Sequence, residues 1–148
     1  MNRLKASLAV ASAIAAVSAV AAASPAAATT TVKSNCVTNS MCLYYNSTTY
    51  GLGAEFGSLV DIYSFNPAYS GGYQYYFKSG AHGTAGNNVN VWNNATAARD
   101  YFPGSWFWVF YNTGWTCTGG YDYIYPGAYV NLTHTKNENT SISSDPCN

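Results

Sequence analysis

The sequence predicts an all-β protein, a sandwich of two Greek-key units. Three observations carry this expectation. Beyond residue 28 no segment combines a helical apolar period with caps; short aromatic or β-branched runs recur instead, each broken by Gly, Asn, Pro or Ser. Aromatics make up 16% of residues, with 14 Tyr, while only 8% are charged, against about 25% in typical domains. Finally, one phrase is written twice. LYYNSTTYGLG (Leu43–Gly53) and VFYNTGWTCTG (Val109–Gly119) each run aliphatic, aromatic, Tyr, Asn, hydroxyl, with a Gly six positions after that hydroxyl.

The chain opens with Arg3 and Lys5, an Ala- and Val-rich run from Leu8 to Ala23, and Ala26-Ala27-Ala28. This pattern predicts a secretory signal peptide over residues 1–28, cleaved after Ala28. A membrane anchor needs about 20 apolar residues, and this run is shorter and weakly hydrophobic. The expectation is a secreted, monomeric single domain over 29–148.

Expected strands are Met41–Tyr45, Ala54–Phe56, Tyr73–Phe77, Val89–Trp92, Trp106–Tyr111, Tyr121–Tyr125 and Tyr129–Leu132. A second likeness supports a true repeat. Asn93-Asn94-Ala95-Thr96-Ala97 resembles Asn137-Glu138-Asn139-Thr140-Ser141, in the same order within each half. One supersecondary unit used twice gives Greek key 1 at about 36–100 and Greek key 2 at about 101–148. The first carries an insertion between Tyr63 and Gly86. Pro103-Gly104 marks the junction.

Four cysteines, Cys36, Cys42, Cys117 and Cys147, follow the signal. An even count in a small exported domain implies two disulfides, with three connectivities open. The favoured pairing is Cys36–Cys42, a short loop, with Cys117–Cys147 tying down the tail. Zinc ligation needs closer paired spacing or histidine partners, which these positions do not supply.

The charges balance, so no field attracts nucleic acid or an acidic membrane. The only histidines are His82 and His134, and no H-E-x-x-H, G-x-S-x-G or phosphate-binding loop is present. No enzyme activity and no cofactor are expected. Calcium needs about six to eight oxygens; Asn93-Asn94 lacks the following hydroxyls, and the segment from Asn139 to Ser143 lacks a second Asn or Asp. Asn93, Asn94, Asn139 and Ser143 are therefore incomplete calcium ligands, and Asn in such turns commonly bonds its own backbone. Tyr73, Tyr75, Tyr76, Trp106 and Trp108 suit sugar stacking.

The order of these motifs resembles a family. Cys36 and Cys42 precede Leu43-Tyr44-Tyr45-Asn46-Ser47, and a central Ala81-His82-Gly83 turn and Gly86 precede Val91 and Asn93-Asn94-Ala95. The second half then opens on Tyr111-Asn112-Thr113 and closes on Asn137-Glu138-Asn139-Thr140-Ser141. This arrangement is similar to secreted actinobacterial peptidase inhibitors with a βγ-crystallin-like fold. Two departures from the crystallin pattern are Leu52 and Cys117, which stand where it has glycine. The resemblance implies an inhibitor of extracellular proteases, chiefly metalloproteases, with no metal of its own. The candidate inhibitory loop is Thr113–Gly120, a glycine-flanked turn holding a half-cystine, where Trp115, Thr116, Cys117 and Thr118 are candidate contact residues. The competing expectations are a secreted module binding cell-wall glycan or calcium, and a small toxin on the same fold. A bacterial host also implies that the N-x-[ST] sites at Asn46, Asn94, Asn131 and Asn139 stay bare.

Overall fold

The computed structural model describes residues 29–147; the expected signal peptide lies outside them. Nine short strands form the fold: β1 (Thr30–Val32), β2 (Met41–Tyr44), β3 (Glu55–Ser58), β4 (Tyr73–Tyr75), β5 (Ala97–Asp100), β6 (Phe107–Phe110), β7 (Tyr121–Ile124), β8 (Tyr129–Asn131) and β9 (Ser141–Ser143). One 3-10 turn, Thr48–Tyr50, is the only helix among the described residues. None is long and apolar enough to cross a membrane.

Two antiparallel sheets dominate, one ordered β3-β2-β5-β8 and the other β7-β6-β9; β1 and β4 pair in parallel as a separate ribbon. The two sheets repeat one pattern. Hairpin β2–β3 pairs Met41 with Ser58 and Tyr44 with Glu55. Hairpin β6–β7 pairs Phe107 with Ile124 and Phe110 with Tyr121. Each residue of the second hairpin stands 66 positions after its counterpart, the interval that separates Tyr45 from Tyr111 in the written repeat. The third strand matches too: Tyr44 pairs with Ala97 as Phe110 pairs with Ser141.

The halves exchange edges. β8, from the second half, pairs with β5 of the first. In return Ile62 of the first half bridges Ile142 of β9: its N–H donates to the Ile142 carbonyl at 2.9 Å, and its carbonyl accepts the Ile142 N–H at 3.1 Å. Strand alternation sorts the side chains. Met41, Leu43, Ala98, Phe107, Val109, Ile124 and Ile142 meet in one buried core drawn from both sheets, with Phe56, Phe65 and Phe77. Cys42, Tyr44 and Ala97 turn the other way into a smaller cluster with Leu52.

Both disulfides form as expected. Cys36–Cys42 has a Cα–Cα distance of 5.7 Å and Cys117–Cys147 one of 5.4 Å. The first straps the entry to β2; the second ties the C-terminal tail to the turn after β6.

Three strands differ from the sequence expectation by their presence and one by its absence. Thr30–Val32, Ala97–Asp100 and Ser141–Ser143 pair: the first is β-branched but only three residues long and closely follows the expected signal peptide, and the other two are Ala-rich or Ser-rich. Their partners β4, β2 and β6 recruit them. Val89–Trp92 is not a strand. Asn90 Oδ1 accepts the Trp92 N–H at 2.8 Å, and Asn94 N–H donates to the Val91 carbonyl at 3.2 Å. These local bonds close the chain into turns and leave one bridge, Tyr76 to Asn90.

Candidate functional site: the braced loop after β6

The loop Thr113–Gly120 joins β6 to β7. Its counterpart, Ser47–Ala54, joins β2 to β3. The backbone reverses through left-handed residues: Gly114 at φ 79°, Trp115 at 59°, Gly119 at 88° and Gly120 at 107°. At Gly119 a side chain is excluded twice, because a Cβ there stands 2.9 Å from the Tyr111 ring and 3.1 Å from Asn112 Nδ2.

Trp115 anchors the loop from inside. Its indole N–H donates to the Ile62 carbonyl at 3.1 Å and to the Ile142 carbonyl at 3.0 Å, the two carbonyls of the bridge between the halves. Its ring meets Tyr63 edge-on, centroids 5.6 Å apart. Gly114 N–H donates to the Tyr63 carbonyl at 3.0 Å. On the far side Asn112 Nδ2 donates to the Thr118 carbonyl, Gly120 N–H donates to the Cys117 carbonyl at 3.3 Å, and Cys117 is bonded to Cys147.

The braced stretch is Thr116, Cys117 and Thr118. Thr118 is exposed and the other two are half-buried. Among the described residues none of their three backbone N–H groups donates a hydrogen bond, and the Thr116 carbonyl accepts none. The loop is therefore held at both ends and carries unspent backbone groups in the middle. The sequence singled out Trp115 as an outward contact; the structure turns its indole inward, onto the seam.

A network that sequence reasoning did not find fixes the strand after the loop. The buried Asp122 carboxylate accepts the Thr133 hydroxyl and the Thr135 hydroxyl, each at 2.7 Å, and the backbone N–H groups of Thr133, His134 and Thr135. Burial pushes its pKa up, but the hydrogen bonds from Thr135 and Thr133 prevail and hold it below the usual carboxylate value. His134 Nδ1 stands 3.5 Å away at the surface.

The outer face of the four-stranded sheet holds a second polar cluster. Arg99 lies between the rings of Tyr101 and Tyr129, at 4.2 and 4.4 Å from their centroids. Its Nη1 donates to Tyr101 Oη at 3.2 Å, and Tyr129 Oη bonds His82 Nε2 at 2.9 Å. The two histidines thus belong to separate networks, His82 with tyrosines and His134 with Asp122.

Two of the four incomplete calcium ligands, Asn94 and Asn139, spend their side chains on backbone. Asn139 is buried, accepting from the Ala95 N–H at 2.8 Å and donating to the Val91 carbonyl at 2.9 Å. Asn94 Nδ2 donates to the Trp92 carbonyl at 2.8 Å. Asn93 N–H donates to the Asn139 carbonyl at 3.0 Å, so these two lie together. Ser143 sits apart from them, donating to Asp61 at 3.0 Å. Among the described residues no three His, Cys, Asp or Glu side chains gather as a metal group.

The aromatic candidates divide between the sheets. Tyr75 packs against Phe56 and Phe65, and Tyr73 stacks on Tyr75; Trp106 and Trp108 both flank Tyr123 on the outer face of β6–β7. Comparison with family models, with curated proteins and with solved structures found no match for the chain.

Proposed function

We propose that the chain is a secreted, non-catalytic inhibitor of extracellular proteases, foremost metalloproteases, built on a βγ-crystallin-like pair of Greek keys. The fold reading draws support from the exchanged edges: each sheet takes three strands from one half and its last pairing segment from the other.

The observation that carries the function is the double hydrogen bond from the Trp115 indole to the Ile62 and Ile142 carbonyls. A loop inhibits rather than serves as substrate when its bound shape exists before binding, so that little entropy is lost on docking. Here the indole fixes the N-terminal flank of Thr116-Cys117-Thr118, the Asn112 amide holds the Thr118 carbonyl, and the Cys117–Cys147 bridge pins the middle residue. The free N–H groups of these residues suit pairing with a protease cleft in the manner of an added strand. The Thr116 carbonyl, unspent and next to Cys117, is the group that approaches the target's metal; that zinc belongs to the protease. Thr118, exposed, supplies the outermost side-chain contact, while Trp115 acts as a brace.

Titrating the purified protein against a thermolysin-like and a subtilisin-like protease tests this. Saturable inhibition of the metalloprotease near one-to-one stoichiometry supports it. Intact folded protein that leaves both proteases fully active removes it.

A further inference from the structure

The repeat places two cavities at equivalent positions on the seam between the halves. One is lined by Tyr45, Asn46, Asn94, Thr96 and Asn137; the other by their counterparts Tyr111, Asn112, Glu138, Thr140 and Asn93. They have diverged. In the first, Thr96 Oγ1 bonds the Tyr45 carbonyl at 2.6 Å and Asn137 Oδ1 at 3.2 Å, and Asn94 is tied to the Trp92 carbonyl; Asn93 lines both cavities. The second is larger, about 580 Å³ against 350 Å³, within the range of about 300–1,000 Å³ usual for small-molecule sites.

The second cavity also has walls that the first lacks. Trp92 lines it, where the repeat has Lys136 in the other half. Asn66 and Tyr69 come from the segment between Tyr63 and Gly86, which the second half does not contain. Tyr69 is 65% exposed and Tyr111 38%. Among the described residues, the side chains of Asn93, Glu138 and Thr116 make no hydrogen bond, nor does the Trp92 indole N–H, nor the Asn66 amide nitrogen. Asn93 and Glu138 are exposed and Thr116, Trp92 and Asn66 half-buried, so the cavity presents donors and acceptors that no protein group occupies and that a polar ligand can reach.

We infer that this cavity binds a neutral oligosaccharide. Aromatic walls offer flat apolar faces to the C–H side of a sugar ring, and each has a polar edge. Amides and hydroxyls match the ring's hydroxyl rim as both donors and acceptors. The lining holds one charge, Glu138, and no cation to recognise an anionic ligand. The inserted segment converts one of two equivalent seam cavities into a binding site. This stands independently of the inhibitor reading, since the cavity has its own walls and shares only Thr113 and Thr116 with the loop.

The test is calorimetric titration of the purified protein with cellotriose, N-acetylchitotriose and maltotriose, repeated with calcium chloride alone. Saturable binding of at least one trisaccharide is expected, with a change in tryptophan emission. Trp92 also packs against the core, so the decisive variant is Tyr69→Ala, whose exposed ring can be removed without disturbing the fold. It weakens binding at least tenfold with an unchanged melting temperature, while Tyr125→Ala, just past the end of β7 and outside the cavity lining, leaves binding unchanged. No binding of any of the three sugars, binding indifferent to Tyr69→Ala, or calcium binding in their place overturns the inference.

Discussion

Asn93 and Asn137 hold the same place in the two halves, and each reaches across to the other half. Both have φ 57°. Asn93 N–H donates to the Asn139 carbonyl at 3.0 Å, and Asn137 N–H donates to the Ala95 carbonyl at 2.8 Å. The bonds are reciprocal, as a pseudo-two-fold axis between the halves requires. Asn tolerates the left-handed region because its short polar side chain imposes the smallest penalty after Gly. Asn137→Val is expected to lower stability by about 1–3 kcal/mol; Asn137→Gly is expected to stay close to the parent. Thermal or denaturant unfolding of the two variants measures this.

Trp115→Phe keeps a ring beside Tyr63 but removes the N–H that joins Ile62 to Ile142. Both carbonyls keep one backbone donor, so the stability loss is modest, about 0.5–1.5 kcal/mol. The effect on inhibition is larger, at least tenfold, because the loop's flank is released. Loop amide exchange and inhibition assays on the same preparation report the two effects separately.

Asp122 sets an acid limit on stability. Its folded pKa lies below its unfolded value. The unfolded chain therefore binds more protons as pH falls. The stabilisation is fully present above the unfolded pKa of about 3.9 and is lost as pH drops through the folded value. Asp122→Asn is expected to cost roughly 2–3 kcal/mol at pH 7, with a smaller difference from the parent near pH 2. Unfolding midpoints of both proteins across that range check the sign.

The Cys117–Cys147 bridge closes a sequence separation of 30, against 6 for Cys36–Cys42. In the loop-entropy account the longer closure contributes more, about 3–4 kcal/mol. Replacing both Cys117 and Cys147 by Ser is expected to lower stability by about that amount and to abolish inhibition. The Cys36–Cys42 double variant is expected to be less destabilised and to retain inhibition. Melting curves and protease titration of the two double variants compare them.

Much of the fold was legible because the repeat was. The opening phrase placed β2 and β6, and the Asn-rich phrases marked the turns before β5 and β9. β5 and β9 themselves were hidden: Ala97-Ala98 and Ser141 carry little strand propensity and pair because β2 and β6 lie alongside. Val89–Trp92 misled in the opposite sense, since its apolar alternation was overruled by Asn90 and Asn94 bonding their own backbone. The cysteine pairing was readable from spacing. That Thr113–Gly120 is a turn between strands was readable too, but not the direction of the Trp115 indole, which depends on carbonyls 53 and 27 residues away. Asp122 gave no local signal, because its partners Thr133–Thr135 come from a turn after β8.

The proposed inhibitor meets its protease through Thr116-Cys117-Thr118. Hydrogen exchange of the chain, alone and mixed with an inhibited metalloprotease, tests it most directly. The three amides have no hydrogen-bond acceptor among the described residues, so they exchange fast in the free protein. These three are expected to slow in the complex, with little change across Trp106, Tyr123 and Tyr125. Protection confined to that aromatic face, with the loop amides still exchanging freely, would contradict it.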